Sequence, residues 1–284
     1  MKTKTPTSVR DHFLTNEIFS LSKIKGVDVF QTLPAVDKDR IGEYYKSKKY
    51  LSHNTNTTFF SLLYSFAKQV NFYFKYRVLK NTSFSNENLL DFGSGNAYFV
   101  SELNKRGGRA FAYDPFYNQV LNKTIDHSTV LKKESELTKA KFKIVTMWHS
   151  LEHVFSYNDT LSLVSNILVS KGYLIVACPN YKSFDANYYK QFWAGYDVPR
   201  HYWHFSPEGI IDIMDKNGFE YINKKPMYFD ALYVSMLSEQ YKKSRLWFVK
   251  GLVVGIVSNF VSLFKNSPSL SLGENSSINT SPSW

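Results

Sequence analysis

The chain has 284 residues, of which 43% are hydrophobic, and it carries a net charge of +11. This length and apolar content predict a folded domain with a sizeable core and argue against a disordered chain. The single cysteine, Cys178, excludes an internal disulfide and a multi-cysteine zinc site. The first residues lack the apolar run of a secretion signal, so we expect a cytoplasmic protein.

The positive charge lies in the flanks of the chain. Residues 89–220 carry equal numbers of basic and acidic side chains, so the excess falls on residues 1–88 and 221–284. An enzyme that acts on nucleic acid is commonly basic around its site, so we expect no nucleic-acid partner. The flanking charge suits either an anionic partner at the periphery, such as a membrane surface, or solubility alone.

Apolar periodicity predicts the order of the elements. After a polar, mixed stretch over residues 1–55, apolar side chains recur at helical spacing and predict a long helix over 57–80. From Leu89 onward, short apolar runs alternate with amphipathic ones. The predicted strands are 89–92, 110–113, 142–148 and 172–178, and the predicted helices are 97–105, 159–170 and 207–217. Ser206 is expected to cap the last of these helices and Gly218 to end it.

This alternation predicts an α/β fold with a Rossmann-like, doubly wound and mostly parallel sheet. Helices should flank the sheet, with further helical appendages at the N-terminal and C-terminal sides. We divide the chain into an appendage over 1–55, a ligand-binding domain over 56–235, and a C-terminal segment over 236–284 with an amphipathic helix and a mobile tail. Ligands should bind at the carboxyl ends of the strands, near the switch in strand order.

The stretch LLDFGSGNAYF, residues 89–99, joins a predicted strand to a predicted helix through a glycine-rich turn. Gly93 and Gly95 allow a sharp turn and a close approach of the backbone to a ligand. A dinucleotide fingerprint requires a third glycine where Tyr98 stands, which argues against that class. Asp114 ends the next strand, at about the distance expected for a carboxylate that binds ribose hydroxyls.

These residues resemble the class I S-adenosylmethionine-dependent methyltransferases. LLDFGSGNAYF is similar to their first motif and Asp114 to the acid of their second strand. VTMWHSLEHV, residues 145–154, resembles the ubiquinone-methyltransferase-like branch, and residues 192–210 resemble a stretch of its bacterial members. The resemblance covers roughly residues 88–222 and implies S-adenosylmethionine as the cofactor. The implied cofactor-binding residues are Asp91, Gly93, Ser94, Gly95, Asp114, Pro115, Trp148 and His149.

The segment after the predicted strand 142–148 supplies the candidate catalytic residues, His149 and His153. Either histidine could remove a proton from an acceptor hydroxyl, because imidazole titrates near neutral pH. Some quinone methyltransferases hold a divalent cation with an E-x-x-E-H pattern, and this chain has His149 in the first position. That change weakens the case for a hard, oxygen-preferring ion and leaves a softer ion open. We predict no metal site here. The alternative to a catalytic base is a histidine that positions the cofactor or caps the helix.

The stretch GYDVPRHYWHF, residues 195–205, is the candidate acceptor site. Long aromatic loops after a strand of this kind usually cover a pocket. We expect Arg200 to bind an anionic group of the acceptor, unless it pairs with Asp197 and only stabilises the loop. The predicted acceptor-binding residues are Tyr196, Arg200, His201 and His204.

Residues 16–54 resemble the N-terminal region of the same bacterial methyltransferases. There a C-x-x-C pair belongs to a small zinc ribbon, whereas this chain has Ile24 and Val27 at the aligned positions. The resemblance therefore implies a degenerate ribbon that holds no zinc.

Residues 246–264 form the most apolar stretch, and basic residues flank it. Lys250, Ser258 and Asn259 interrupt it, which favours a helix at a membrane interface or packed on the domain over one that spans a bilayer. Peripheral contact at the inner face of a membrane is the partner that this stretch suggests.

The predicted function is methyl transfer from S-adenosylmethionine to the oxygen of a small-molecule, glycan, quinone or lipid-linked acceptor. One alternative is an NAD-type oxidoreductase on the same architecture, against which Tyr98 argues. Another is a protein that binds the cofactor without turnover. Oligomeric state does not follow from the sequence.

Overall fold

The structure is a computed structural model that describes residues 5–45, 58–82, 86–115, 129–265 and 270–273. Within these ranges, a six-stranded sheet forms the centre of the molecule. Its strands, in spatial order, are β10 (Leu270–Gly273), β8 (Leu168–Pro179), β7 (Phe142–Trp148), β4 (Asn88–Phe92), β5 (Arg109–Tyr113) and β6 (Val130–Leu131). Strands β8 to β6 run parallel, and β10 runs antiparallel to β8. The predicted Rossmann-like sheet is therefore confirmed.

The strand order reverses at β4. The chain passes from β4 to β5 on one side and later places β7 on the other side of β4. The carboxyl ends of β4 and β7 therefore border the switch point, where open α/β sheets bind ligands. Both strands are buried along almost their whole length, because a parallel sheet is covered on both faces and is built from continuous apolar runs.

The helices of the described ranges follow the predicted order. They are α1 (Lys38–Ile41), α2 (Thr58–Leu79), α3 (Tyr98–Asn104), α4 (Glu134–Leu137), α5 (Tyr157–Ile167), α6 (Phe184–Tyr189), α7 (Pro207–Lys216), α8 (Tyr228–Tyr241) and α9 (Trp247–Lys265). The predicted cap of α7 is confirmed, because Ser206 Oγ accepts from Gly209 N at 2.9 Å. Helix α5 ends at Ile167 and not at residue 170, because Leu168 already begins β8.

Two apolar cores lie on opposite faces of the central sheet. Leu90 of β4 and Val145 of β7 pack with residues of α5 and α7, whereas Leu89 and Ile144 pack with residues of α2 and α3. Successive side chains of a strand point to opposite faces, so each strand contributes to both cores.

The N-terminal region forms a second sheet and not the predicted helical appendage. Strands β1 (Ser8–Arg10), β2 (Ile18–Lys23) and β3 (Val29–Leu33) pair antiparallel, and β9 (Trp203–Phe205) pairs with β3. The sequence IFSLSK of β2 buries alternate residues, which is the pattern of a strand. The predicted domain boundary at residue 55 lies outside the described residues.

Helices α8 and α9 form an antiparallel hairpin at the C-terminal side. Gly251 and Gly255 of α9 lie directly against α8, and a Cβ at Gly251 would be 2.4 Å from Met236 Cα. The predicted boundary at residue 235 falls inside α8, so the helical unit begins at the start of this helix. None of the helices within the described residues has the length and hydropathy that crossing a membrane requires.

The predicted mobile tail is wrong for residues 270–273, which form β10 beside β8. An antiparallel edge strand on an otherwise parallel sheet is common in α/β proteins. The remaining residues of the predicted tail lie outside the described ranges.

Candidate cofactor and acceptor site

The glycine turn, residues 93–97, lies between β4 and α3. Gly93 has a φ of +79° and Gly95 a φ of +54°, in the region that favours glycine. The N–H groups of Gly93 and Ser94 donate to the carbonyl of Tyr113 at 2.7 and 3.1 Å. The glycine turn is therefore fastened to the carboxyl end of β5, the neighbouring strand.

Gly93 has no room for a side chain. A Cβ there would lie 2.3 Å from Ser150 Cβ, and Ser150 Oγ donates to the Phe92 carbonyl at 2.7 Å. At Gly95, no atom lies within 4 Å of the equivalent position. The segment after β7 therefore packs directly on the first half of the glycine turn.

Asp91 is buried at the end of β4 and accepts a hydrogen bond from Thr146 Oγ1 at 2.7 Å. Burial raises the pKa of Asp91 to about 6, although Lys75 and Thr146 act in the opposite direction. The neighbouring carboxylate of Asp114 contributes to the increase. Perturbed carboxyl groups of this kind cluster at functional sites.

Asp114 lies directly after β5 and faces the glycine turn. Its Oδ2 accepts from Gly95 N at 2.8 Å, and the exposed Pro115 follows it. Ser94 Oγ is buried and, among the described residues, has no hydrogen-bond partner. The sequence-predicted residues 91, 93–95, 114 and 115 are thus brought together at one edge of the sheet.

Trp148 and His149 complete this edge at the end of β7. Trp148 is buried, and its ring packs edge-on to Phe99 of α3 at a centroid distance of 5.9 Å. Within the described part of the chain, its Nε1 has no hydrogen-bond partner. His149 has a φ of +55°, and its side chain is about one-third exposed at 32%.

His149 is held between two carboxylates. Its Nε2 donates to Asp230 Oδ2 at 2.9 Å, and its Nδ1 lies 3.4 Å from Glu152 Oε1. Burial lowers the pKa of His149, but these two partners outweigh it and raise the pKa to about 10. His149 is therefore an imidazolium at neutral pH, and in that state it has no lone pair with which to accept a proton.

Three residues that sequence reasoning missed reach the same cleft. Asp230 comes from α8, and Asn71 Nδ2 of α2 donates to it at 3.4 Å. Lys75 of α2 lies over the Trp148 ring, with Nζ 5.1 Å from the centroid. Burial lowers the pKa of Lys75, and the nearby Asp91 and Asp230 oppose this change. For Lys75, the sequence did offer a signal, namely a charged side chain among the apolar residues of α2.

The buried Glu152 and His201 and the partly buried His153 form a cluster beside His149. One potential ligand atom from each lies within 4.8 Å of the others. The rings of the two histidines meet edge-to-face at 4.5 Å. The cluster joins His153, predicted for catalysis, and its neighbour Glu152 with His201, predicted for acceptor binding. The sequence separation of His153 and His201 concealed this proximity.

Arg200 is almost fully buried, with 1% exposure, and it is paired within the protein. Its guanidinium donates to Asp197 and to Asp11, with NH2–oxygen distances of 2.7 and 2.9 Å. A further bond runs to the Tyr44 carbonyl. Arg200 thus holds the N-terminal sheet against the loop, and binding an acceptor would require it to leave these partners.

Tyr196 and His204 are also buried in the loop. Tyr196 packs edge-on to Trp193 at 5.0 Å, and His204 Nε2 lies 2.8 Å from Thr32 Oγ1. Burial lowers the pKa of His204 to about 3, so the ring is neutral. Both residues connect the loop to its surroundings, and their predicted role towards an acceptor stays a prediction.

A Rossmann-like sheet with an acidic glycine turn at its switch point defines a class of nucleoside-binding α/β enzymes. Residues 62–224, more than half of the chain, match the family described as "Methyltransferase domain". The chain belongs to this methyltransferase-domain family, and it is an S-adenosylmethionine-dependent methyltransferase of class I. This membership decides against the oxidoreductase alternative.

Solved structures are similar in fold. Phosphoethanolamine N-methyltransferase 2 of Haemonchus contortus, in complex with S-adenosyl-L-methionine, is 14% identical, with a TM-score of 0.52. The match covers 88% of this chain and 62% of that one. A methyltransferase from Archaeoglobus fulgidus is 18% identical over 78% of this chain and 100% of its own, with a TM-score of 0.45. A search of curated proteins found no match.

Proposed function

We propose that this enzyme binds S-adenosylmethionine at the glycine turn and transfers its methyl group to the oxygen of a lipid-linked or quinone acceptor at a membrane surface. The observation that carries the cofactor part is the contact of Asp114 with Gly95, at the switch point of the sheet. A carboxylate has about four acceptor positions, so Asp114 can keep this bond and accept from two ribose hydroxyls. The buried Ser94 Oγ and Trp148 Nε1 are further donors for the cofactor.

Isothermal calorimetry with S-adenosylmethionine and S-adenosylhomocysteine tests this assignment. Asp114→Ala removes charge-assisted bonds to two hydroxyls, so we expect at least about 30-fold weaker binding of both compounds. Asp212→Ala is the matched control, because Asp212 pairs with Lys216 on the exposed side of α7. Unchanged affinity in Asp114→Ala would remove the ribose assignment, and no binding by the wild type would remove the proposal.

We favour His153 over His149 as the residue that accepts the acceptor's proton. Both were predicted for this role, but the two carboxylates around His149 keep it charged. The Nδ1 of His153 lies 3.0 Å from the carbonyl of Arg200. The Tyr45 hydroxyl also lies 3.0 Å from this nitrogen. A carbonyl only accepts whereas a hydroxyl can accept as well, so a proton on Nδ1 suits both neighbours and leaves on Nε2 the lone pair that a base requires.

The membrane part of the proposal rests on α9, which buries Val254 in the core but exposes most of its larger apolar residues. An apolar stripe runs along the exposed side, spaced three and four residues apart, and each member is more than half exposed: Leu246, Val249, Val253, Ile256, Phe260 and Leu263. The opposite side, which contacts the protein, carries small residues. Gly251 and Gly255 touch α8, and Ser258 Oγ donates to the buried Asp185 at 2.7 Å.

Charge favours an anionic lipid surface over other occupants of the apolar stripe. Lys242, Lys243 and Arg245 immediately precede α9, Lys250 is exposed on it, and the helix contains no acidic residue. A second copy would bring these like charges together, whereas anionic headgroups would neutralise them. Buried apolar area and basic charge together are what hold an interfacial helix on a bilayer.

Co-sedimentation with vesicles of phosphatidylglycerol and phosphatidylcholine tests membrane binding. Val253→Asp places a charge in the apolar stripe and should weaken binding by roughly tenfold or more. Ile222→Asp changes net charge equally at an exposed residue in the segment between α7 and α8, and should bind as the wild type does. Equal binding of both variants, or stripe-dependent dimers in sedimentation velocity without vesicle binding, would contradict the membrane assignment.

A radiometric assay identifies the acceptor class. Membrane extract fractions are supplied with labelled S-adenosylmethionine, and we expect transfer of the label to a lipid-extractable product. Transfer only to water-soluble fractions would contradict the membrane part and leave the cofactor assignment intact.

We also propose that the N-terminal sheet is a degenerate zinc ribbon of the ubiquinone-methyltransferase-like branch. Ile24 and Val27 lie in the turn between β2 and β3 and pack against the larger apolar core. Their location in a hairpin turn supports the alignment with a C-x-x-C pair. Apolar packing there takes the place of metal ligation.

A further inference from the structure

The cluster of Glu152, His153 and His201 brings two imidazoles and one carboxylate together from separate parts of the chain. Glu152 and His153 lie in the short turn Leu151–His153 after β7, and His201 lies in the loop over residues 195–205. One ligand atom from each lies within 4.8 Å of the others. Modest side-chain movements would bring them to the separations found around a bound ion.

Backbone carbonyls fix the orientation of both histidine rings. Nδ1 of His201 lies 2.9 Å from the carbonyl of Gly195, and Nδ1 of His153 lies 3.0 Å from that of Arg200. A carbonyl can only accept, and the Tyr45 hydroxyl, also 3.0 Å from His153 Nδ1, can accept too, so Nδ1 donates in each ring and the lone pair is on Nε2. Histidine ligands in metal sites are typically oriented in this way by a bond from their other nitrogen.

The carboxylate of Glu152 is buried and lacks hydrogen bonds. The residue is 1% exposed, and neither oxygen has a hydrogen-bond partner among the described residues. Its nearest charged contact is His149 Nδ1, at 3.4 Å from Oε1. This ion pair does not satisfy the hydrogen-bonding capacity of the two oxygens, and a buried carboxylate with unsatisfied oxygens is unfavourable, so the side chain has acceptor capacity left for a ligand.

We propose that Glu152, His153 and His201 bind one divalent transition-metal ion, of the class of Zn²⁺, Fe²⁺, Co²⁺ or Mn²⁺. Two imidazole nitrogens and one carboxylate oxygen suit these ions and do not suit Mg²⁺ or Ca²⁺, which take oxygen ligands. The donor set also departs from the E-x-x-E-H pattern, because His149 is paired with Asp230 and the third donor comes from the loop. It revises the sequence-based prediction that this chain has no metal site.

The charges around the cluster are mixed. The charged His149 lies 3.4 Å from Glu152 Oε1 on one side, whereas Asp197 Oδ2 lies 4.0 Å from His201 Nε2 on the other and adds negative charge. A metal ion binds a deprotonated ring nitrogen, and in His201 that nitrogen is Nε2, because Nδ1 is bonded to the Gly195 carbonyl.

Metal binding and the proposed base role of His153 exclude each other, because both use the lone pair on Nε2. An ion at this site would act instead as a Lewis acid and lower the pKa of a hydroxyl that binds to it. The metal site does not depend on the cofactor assignment, and its failure would leave binding of S-adenosylmethionine untouched.

The test uses the untagged full-length chain, freed of metal with a chelator. Titration with Co²⁺ is followed by visible d–d absorption, and Zn²⁺ competition is followed by calorimetry. We expect one ion per chain in the wild type. Glu152→Gln and His201→Gln keep side-chain volume but remove a ligand, and each should bind at least about tenfold more weakly.

His204→Gln is the matched control, because His204 is buried in the same loop and bonds to Thr32 instead of joining the cluster. It should bind Co²⁺ like the wild type. The proposal is overturned if the wild type shows no Co²⁺ absorption, or if the two ligand variants keep wild-type affinity. Circular dichroism establishes that each variant is folded, and the wild-type titration decides the outcome even if one variant is not.

Discussion

The charge of His149 can be tested by replacing Asp230 with Asn. This substitution keeps the shape of the side chain, but it removes the negative charge that faces His149 Nε2 at 2.9 Å. The remaining carboxylate, Glu152, lies farther away at 3.4 Å. We therefore expect the pKa of His149 to fall from about 10 towards its ordinary value near 6.5.

The pH dependence of stability follows from the sign of this shift. A histidine whose pKa is raised on folding stabilises the protein fully below the unfolded pKa and loses that contribution as pH rises through the folded pKa. In the wild type, the contribution of His149 should therefore decline between about pH 6.5 and pH 10. After discounting for the one-third exposed side chain, we expect Asp230→Asn to lower the free energy of unfolding by about 2 kcal/mol at pH 7.

Urea unfolding of wild type and variant, at one-unit steps from pH 6 to pH 10, measures this contribution. Taking the difference between the two proteins cancels lysines and tyrosines that titrate in both. The difference should be largest at pH 6, below the unfolded pKa, and shrink steadily towards pH 10. Asp212→Asn, in a surface pair with Lys216, should change stability by less than about 0.5 kcal/mol with no such trend. Parallel curves for wild type and Asp230→Asn would refute the reasoning.

Two further substitutions test the glycine turn and the loop. Gly93→Ala should lower the free energy of unfolding by about 3 kcal/mol, because its Cβ would lie 2.3 Å from Ser150 Cβ at a positive φ. Gly95→Ala has the φ penalty alone and should lose only about 1 kcal/mol, so equal melting temperatures would contradict the packing argument. Arg200→Met should lose about 3 to 5 kcal/mol in urea unfolding, because it leaves a buried carboxylate unpaired. Arg106→Met removes a surface pair and should lose under about 1 kcal/mol, so similar losses in both would count against a structural Arg200.

Local features of the sequence were enough to predict the central sheet and the glycine turn. Apart from Asp91, the run from Leu89 to Phe92 is apolar because a parallel strand is buried on both faces, and Gly93 reflects a backbone conformation that few other residues adopt. Asp114 follows at the end of the next strand. Each of these signals lies within a few residues of the structure it predicts.

The other half of the cleft depends on contacts that no local pattern reveals. Asp230 meets His149 from 81 positions away, and Lys75 approaches Trp148 from a helix in which several other polar and basic residues occur. Arg200 pairs with Asp11 across 189 positions, so its buried role could not be distinguished from acceptor binding. The short alternating strands at the N-terminal side were overlooked because each covers only three to six residues.

The pairing of β9 with β3 bears on how this enzyme can be shortened. A fragment that begins at α2 keeps the whole parallel sheet and the family match, and it would look like a natural minimal domain. Such a fragment would strip the loop bearing His201 of its neighbouring strand and leave the guanidinium of Arg200 without Asp11. The first forty-five residues therefore support the structure of the catalytic domain. In a protein shortened at this end, we expect the loop over residues 195–205 to lose its structure first.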